Sequence, residues 1–296
     1  MSPLIVLILA VLATTCAGPL IRLAAAPALA IAFWRLALVL PVTGGLAWRE
    51  ARSSDATAVG DPVGKALPLM ALSGLMLAVH FWTWIASLRF TTVASSVVLV
   101  SLKPVFAWGL AAVWLGEHPQ PRERWGIVIA VLGAILIGFA DARGSIGALG
   151  GDLLALAGAL AAAGYYVIGR RVRATVGVWA YASVVYAVAA ATLAGLALGS
   201  GVGFTGYATR DWMIFAALAA GPMLVGHTGL NYALKHYRAT TVNVAALGEP
   251  VGAGVLAWLI PAIHEVPGPL ALVGSVVTLG GIGLALGGAR EEAHVR

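Results

Sequence analysis

The 296 residues are 60% hydrophobic and only 10% charged, with a mean hydropathy of +0.94, whereas an average soluble domain is about 25% charged. A water-soluble fold could not hide so much apolar surface, but lipid solvates it. The net charge of +6 therefore does not indicate nucleic acid binding, and it fits basic residues gathered in cytoplasmic loops. The single cysteine, Cys16, excludes a disulfide framework and a cysteine-based metal site.

The first apolar stretch, 3–20, has no Lys or Arg ahead of it, so it lacks the basic region of a signal peptide. Leu12–Cys16 matches a lipoprotein cleavage box poorly, because Thr15 precedes the cysteine. It reads as a retained first helix. A helix needs about 20 apolar residues to cross a hydrocarbon core of roughly 30 Å. That ruler gives ten spans, near 3–21, 27–48, 66–88, 92–115, 125–141, 150–169, 177–199, 211–234, 240–260 and 268–288. The expected fold class is an all-α integral membrane protein. The longest polar stretch, 49–65, reads as a loop without chemistry of its own; it includes Ser54, Asp55 and Asp61.

With the N-terminus inside, the inner loops hold twelve Lys and Arg. The outer loops hold four (Arg22, Arg89, Arg143, Arg210), and Arg35 and Lys103 lie within spans. This asymmetry predicts that both termini are cytoplasmic.

Two spans are unusual and alike. Residues 91–114 carry Lys103-Pro104 at mid-span, and residues 240–260 carry Glu249-Pro250. Each begins at a threonine pair, Thr91-Thr92 and Thr240-Thr241, and each ends in a Trp-containing apolar half (Trp108 and Trp114; Trp258). They lie about half a chain apart, and His80 and His227 hold similar places in the third and eighth spans. Five spans per copy is an odd number, so the second copy enters from the opposite side. An inverted-topology repeat of this kind is typical of secondary transporters. The expected division is 1–145 and 146–296.

The order of these features resembles the drug/metabolite transporter superfamily, and within it proteins with two EamA-type domains. The likeness rests on five plus five spans, on Phe33-Trp34-Arg35, on the Lys-Pro and Glu-Pro spans and on the Leu115-Gly116-Glu117 exit. Glycine-spaced Gly126, Gly133 and Gly138 add to it. Ile260-Pro261-Ala262 departs from the pattern, standing where a second Leu-Gly-Glu would be expected. Length and the His80 region look most like bacterial aromatic amino-acid exporters. The resemblance implies a multi-pass protein of the bacterial inner membrane that exports small metabolites without a cofactor. Its partners would be a small-molecule substrate and membrane lipid, with no nucleic acid, as a monomer or a homodimer.

A charge at mid-bilayer costs roughly 2.5–3.5 kcal/mol even on the lenient insertion scale, so Lys103 and Glu249 must face protein or a wet cavity. Three readings fit. Lys103 holds a substrate carboxylate and Glu249 an ammonium group; the two pair only with each other; or Glu249 takes up and releases a proton that drives transport. Pro104 and Pro250 free backbone carbonyls near Val100 and Ala246, which is how many transporters build a site. His80 with Trp84 one turn on suits an aromatic solute. His227 with Asn231 at i+4 is a site candidate or an interhelical hydrogen-bonding pair. Trp108 and Tyr165 complete the candidate set, Tyr165 being preferred to Tyr166 as the tyrosine facing the cavity. Arg35, roughly 12 Å deep, reads as structural. Gly280, Gly281, Gly283 and Gly287 read as close-packing positions or a dimer face. No Gly-x-Ser-x-Gly, His-Glu-x-x-His or P-loop occurs, which argues against an ATP-driven pump, and the intramembrane charges are too few to form the acid/base or metal set of a membrane-embedded enzyme. The leading expectation is a secondary exporter of aromatic or other neutral amino acids working by alternating access. The alternative is an exporter of a drug, nucleoside or sugar; a membrane-embedded enzyme is a distant third.

Overall fold

The computed structural model describes residues 2–53, 62–90, 96, 99–141, 149–262, 266 and 268–293. Thr91, Thr92, Arg143 and the centre of the polar 49–65 stretch (Ser54, Asp55, Asp61) lie outside the described residues. Among the described residues the regular structure is entirely helical. The helices are α1 (Pro3–Thr15), α2 (Ala17–Leu23), α3 (Ala28–Ala37), α4 (Leu40–Ser53), α5 (Pro62–Phe90), α6 (Lys103–Leu115), α7 (Pro121–Asp141) and α8 (Leu149–Val172). They continue with α9 (Val178–Gly199), α10 (Thr209–Leu218), a π segment (Ala219–His227), α11 (Thr228–Ala233), α12 (Ala239–Ala245), α13 (Gly248–Leu259) and α14 (Pro269–Ala293). Among the described residues, seven continuous helical runs are long and apolar enough to cross a membrane: α1–α2, α3–α4, α5, α8, α9, α10 through α11, and α14. The other expected spans are helical as well, as α6, α7 and α12–α13.

Both proline-bearing spans are broken where the charges stand. Lys103 opens α6 and Glu249 lies in the first turn of α13. Tight three-residue hydrogen bonds carry the chain across each break: Leu102 N–H to the Leu99 carbonyl and Leu247 N–H to the Val244 carbonyl. The proline that follows each charge lacks an N–H and so tolerates the new helix start. The exits differ. Gly116 closes α6 at φ +66°, a left-handed cap that glycine adopts without a Cβ penalty. Ile260 leaves α13 in extended conformation ahead of Pro261, which is the physical form of the missing Leu-Gly-Glu.

The packing pairs are long and close. α5 lies along α8, α9 along α3, α4 and α5, and α7 along α14. In the last pair the helices nearly touch: a Cβ at Gly133 would run into the Thr278 backbone and one at Gly281 into the Ala130 backbone. Gly280 and Gly283 meet nothing within 4 Å.

Side chains tie the two ends of the bundle together. At one end Glu117 pairs with Arg170 (2.9 Å), Glu123 with Arg238 (3.1 Å), and Glu50 accepts from the Ala180 N–H (3.0 Å). At the other, Asp211 accepts from the Ala25 N–H (2.9 Å) and Trp34 Nε1 donates to the Phe204 carbonyl (2.9 Å).

Candidate functional site

A cavity of about 590 Å³ opens where the broken helices meet α1–α3, α5 and α8. It is lined at mid-bundle by Thr14, Arg35, His80, Lys103, Tyr166 and Glu249, and it reaches the end that carries Arg22, Ala24, Ala26 and Val266. Glu117, Glu123, Arg170 and Arg238, at the opposite end, are not on its wall. There Glu123, 1% exposed, also accepts from Thr240 Oγ1 (3.3 Å) and Thr241 Oγ1 (2.5 Å). Arg170 Nη1 donates to the Leu234 carbonyl (2.9 Å). Arg173, just past α8, donates to the Asn231 and Val176 carbonyls; burial lowers its pKa from the ordinary value, opposed by the charge of Glu50. Among the described residues the cavity thus reaches one end of the bundle, while ion pairs and hydrogen bonds tie the helices together at the other.

Lys103 Nζ and a Glu249 carboxylate oxygen stand 3.7 Å apart on the cavity wall, with side chains 7% and 28% exposed. The environments of the two charges are not equivalent. A helix N-terminus carries a partial positive charge, so α13 favours Glu249 while α6 disfavours Lys103. Lys103 therefore depends on its partner more than Glu249 does.

The aromatic wall comes from α5 and the π segment. His80 and Trp84 stack with ring centroids 6.1 Å apart and planes within 4°. His80 Nδ1 lies 2.9 Å from the Gly158 carbonyl; a carbonyl only accepts, so Nδ1 carries the proton in that bond. Phe81 meets His227 edge-on at 5.2 Å. The π segment contains Pro222 and ends at His227; such wider turns rotate a side chain off the regular helical face and occur often at functional sites. His227 Nδ1 is buried with no hydrogen-bond partner.

Of the residues expected at the site, His80, Trp84, Lys103, His227 and Glu249 line the cavity. Trp108, Tyr165 and Asn231 do not. Trp108 packs against the cluster around Ile127 and Leu247, with the Arg124 guanidinium 5.9 Å from its ring. Tyr165 donates to Asn231 Oδ1 (2.6 Å), and Asn231 Nδ2 donates to Tyr186 Oη (3.4 Å), in a buried network behind the wall. Tyr166, not Tyr165, reaches the cavity. Adjacent helical residues point about 100° apart, and the alanine- and glycine-rich run before them gave no apolar stripe to choose between them. Arg35, read from sequence as structural, also lines the cavity. It is 1% exposed, its guanidinium sits 4.2 Å from the Phe81 ring, and its Nε and Nη1 have no hydrogen-bond partner. The signal for it was in the sequence, since an intramembrane charge is a functional-site candidate by default.

Helices apolar enough to span a bilayer, surrounding a charged cavity that among the described residues reaches one end of the bundle, are the build of a membrane solute transporter. Residues 1–139 and 149–287 each match the EamA-like transporter family, and the chain belongs to that family. It is a multi-pass inner-membrane transporter and not an enzyme. It is 28% identical over 216 residues to the pseudopaline exporter CntI of Pseudomonas aeruginosa, covering 72% of each chain. To the uncharacterized transporter YdfC of Bacillus subtilis it is 26% identical over 222 residues, covering 74% of this chain and 71% of that one. A solved crystal structure shares the fold over 98% of both chains, with a TM-score of 0.79 at 19% identity.

Proposed function

We propose that this transporter exports small amphipathic metabolites, foremost aromatic or other neutral amino acids, by alternating access between two inverted five-span repeats, 1–145 and 146–296. The observation that carries the reading is the Lys103–Glu249 pair at 3.7 Å on the wall of a central cavity. Each charge opens a half-helix, and each comes from a different half of the chain. A zwitterionic solute offers Glu249 an ammonium group and the cations of the same wall a carboxylate, and the His80–Trp84 stack offers its apolar side a flat aromatic surface. The inverted arrangement is supported by packing that survives exchange of the halves. α5 against α8 has its counterpart in the π segment and α11 against α1, while α7 packs on its own equivalent α14, and α9 on its equivalents α3 and α4. The family match in two segments of similar length supports the division.

The loop charges put both termini in the cytoplasm. On that orientation the cavity faces outward and the Glu117–Arg170 and Glu123–Arg238 pairs close the cytoplasmic side. Export then consists of breaking those pairs, admitting the solute from the cytoplasm and rocking back. The test is uptake of radiolabelled tryptophan and threonine by liposomes holding purified protein, without ATP. Accumulation above empty liposomes is expected; no uptake of any of the twenty amino acids would overturn the substrate class. A second reading is favoured by the Pseudomonas aeruginosa relative, whose name makes it an exporter of pseudopaline: the cargo is then another metabolite handled by the same machinery.

A further inference from the structure

Among the described cavity-lining residues, four carry fixed charges: Arg22 towards the end the cavity reaches, and Arg35, Lys103 and Glu249 at mid-bundle. Lys103 and Glu249 answer each other at 3.7 Å. Arg35 is left with an aromatic ring beneath it, at 4.2 Å, and two nitrogens that bond to nothing. A cation stacked on an aromatic face recovers about 0.5–2 kcal/mol, whereas the effective penalty for burying an ion is several kcal/mol. The guanidinium is a rigid, planar fork of donors shaped for a two-pronged oxyanion. On the far edge of the same Phe81 ring stands His227, whose Nδ1 is equally unsatisfied. With Glu249 answered by Lys103, Arg35 has no anion within hydrogen-bonding reach among the described residues, and a carboxylate on the solute supplies one.

We propose that Arg35 is the carboxylate anchor of the transported solute, with His227 as its neighbouring hydrogen-bonding group, and that Lys103 is the resting partner of Glu249, displaced when the solute's ammonium group arrives. The inference rests on the export reading above and deepens it. Arg35, rather than Lys103, reads the acid group. Glu249 reads the amine once Lys103 has moved away, and the exchange of partners couples loading to a change at the helix breaks.

The test uses full-length protein in phosphatidylcholine nanodiscs, whose neutral lipid removes anionic head groups as rival occupants. Binding of L-tryptophan, tryptophanamide, indole-3-propionate and L-leucine is measured by calorimetry on wild type, Arg35→Gln and Arg35→Lys. The expected result is that wild type binds tryptophan at least about tenfold more tightly than the amide, roughly 1.4 kcal/mol. Arg35→Gln erases that difference by weakening the acid alone, and Arg35→Lys restores part of it. Indole-3-propionate, which has the acid and lacks the amine, should keep its dependence on Arg35. Equal binding of acid and amide to wild type overturns the anchor, as does a preference for the acid that survives Arg35→Gln, or no binding by any carboxylate probe. Should Arg35→Gln fail to fold, the wild-type comparison of acid with amide and the Arg35→Lys variant still decide. Leucine separates the two proposals: if it binds through Arg35 and the aromatic probes do not, the anchor stands and the aromatic preference falls.

Discussion

Neutralising either partner of the Lys103–Glu249 pair should cost stability unequally, and the sign of the inequality is fixed by where each charge sits. At 3.7 Å and an effective dielectric of about 20, the gross attraction is 332/(20 × 3.7), roughly 4.5 kcal/mol. Removal of both charges from water offsets most of it, leaving a coupling of about 1–2 kcal/mol. Glu249→Gln leaves Lys103 with a side chain 7% exposed at the positive end of α6, an orphaned buried charge that costs about 3 kcal/mol. Lys103→Met leaves Glu249 with a side chain 28% exposed, wetted by the cavity and favoured by the start of α13, at a cost of about 1 kcal/mol. With that coupling the double variant should lose about 2–3 kcal/mol, less than the roughly 4 kcal/mol sum of the two single losses. Unfolding in mixed micelles, followed by tryptophan fluorescence, gives all three values and closes the cycle. A Lys103→Met loss equal to or larger than that of Glu249→Gln would refute the reasoning, and strictly additive losses would show that the pair does not form.

Three further outcomes are expected. Gly133→Ala, whose Cβ would meet the Thr278 backbone, should destabilise the α7–α14 contact by about 1–3 kcal/mol, whereas Gly109→Ala, with nothing within 4 Å, should stay within about 1 kcal/mol of wild type; thermal melting in detergent reads both. Glu123→Ala removes the acceptor shared by Thr240, Thr241 and Arg238, so it should loosen the sealed end and raise maleimide labelling of an Ala239→Cys reporter, buried in the parent, in a Cys16→Ala background. Tyr165→Phe orphans Asn231 Oδ1 and should cost about 1–3 kcal/mol of stability, while Tyr166→Phe, on the cavity wall, should alter solute affinity with little change in melting temperature.

The helical segments were legible because a bilayer demands long apolar runs and forbids unsatisfied backbone between them. Lys103 and Glu249 stood out for the same reason, as charges where charges are expensive. Local chemistry also showed where their helices break, since each charge is followed by a proline. What did not show was direction around a helix axis. Tyr165 and Tyr166 differ by one residue and by their whole environment, and neither composition nor spacing separates a wall residue from one behind it. The π segment was hidden as well: Pro222 and Gly226 mark a disturbance, but its geometry, and the close approach to α1 in which a Cβ at Gly226 would strike Thr14, are not written in the local sequence. Arg35 was visible as an intramembrane charge, but the sequence did not show that it lines the cavity beside Phe81. Its unpaired nitrogens are a property of three-dimensional surroundings that no single span contains.

The central claim is that the Lys103–Glu249 pair serves transport as well as packing, Glu249 receiving the solute's ammonium group in place of Lys103. The charge swap Lys103→Glu with Glu249→Lys tests it most directly, measured as amino-acid transport in liposomes beside the melting temperature of the same preparation. The account predicts a swapped protein that stays folded, because the pair is retained, and that has lost transport, because the polarity offered to the solute is reversed beside an unchanged Arg35. Full transport by the swapped protein would contradict it and reduce the pair to a packing device.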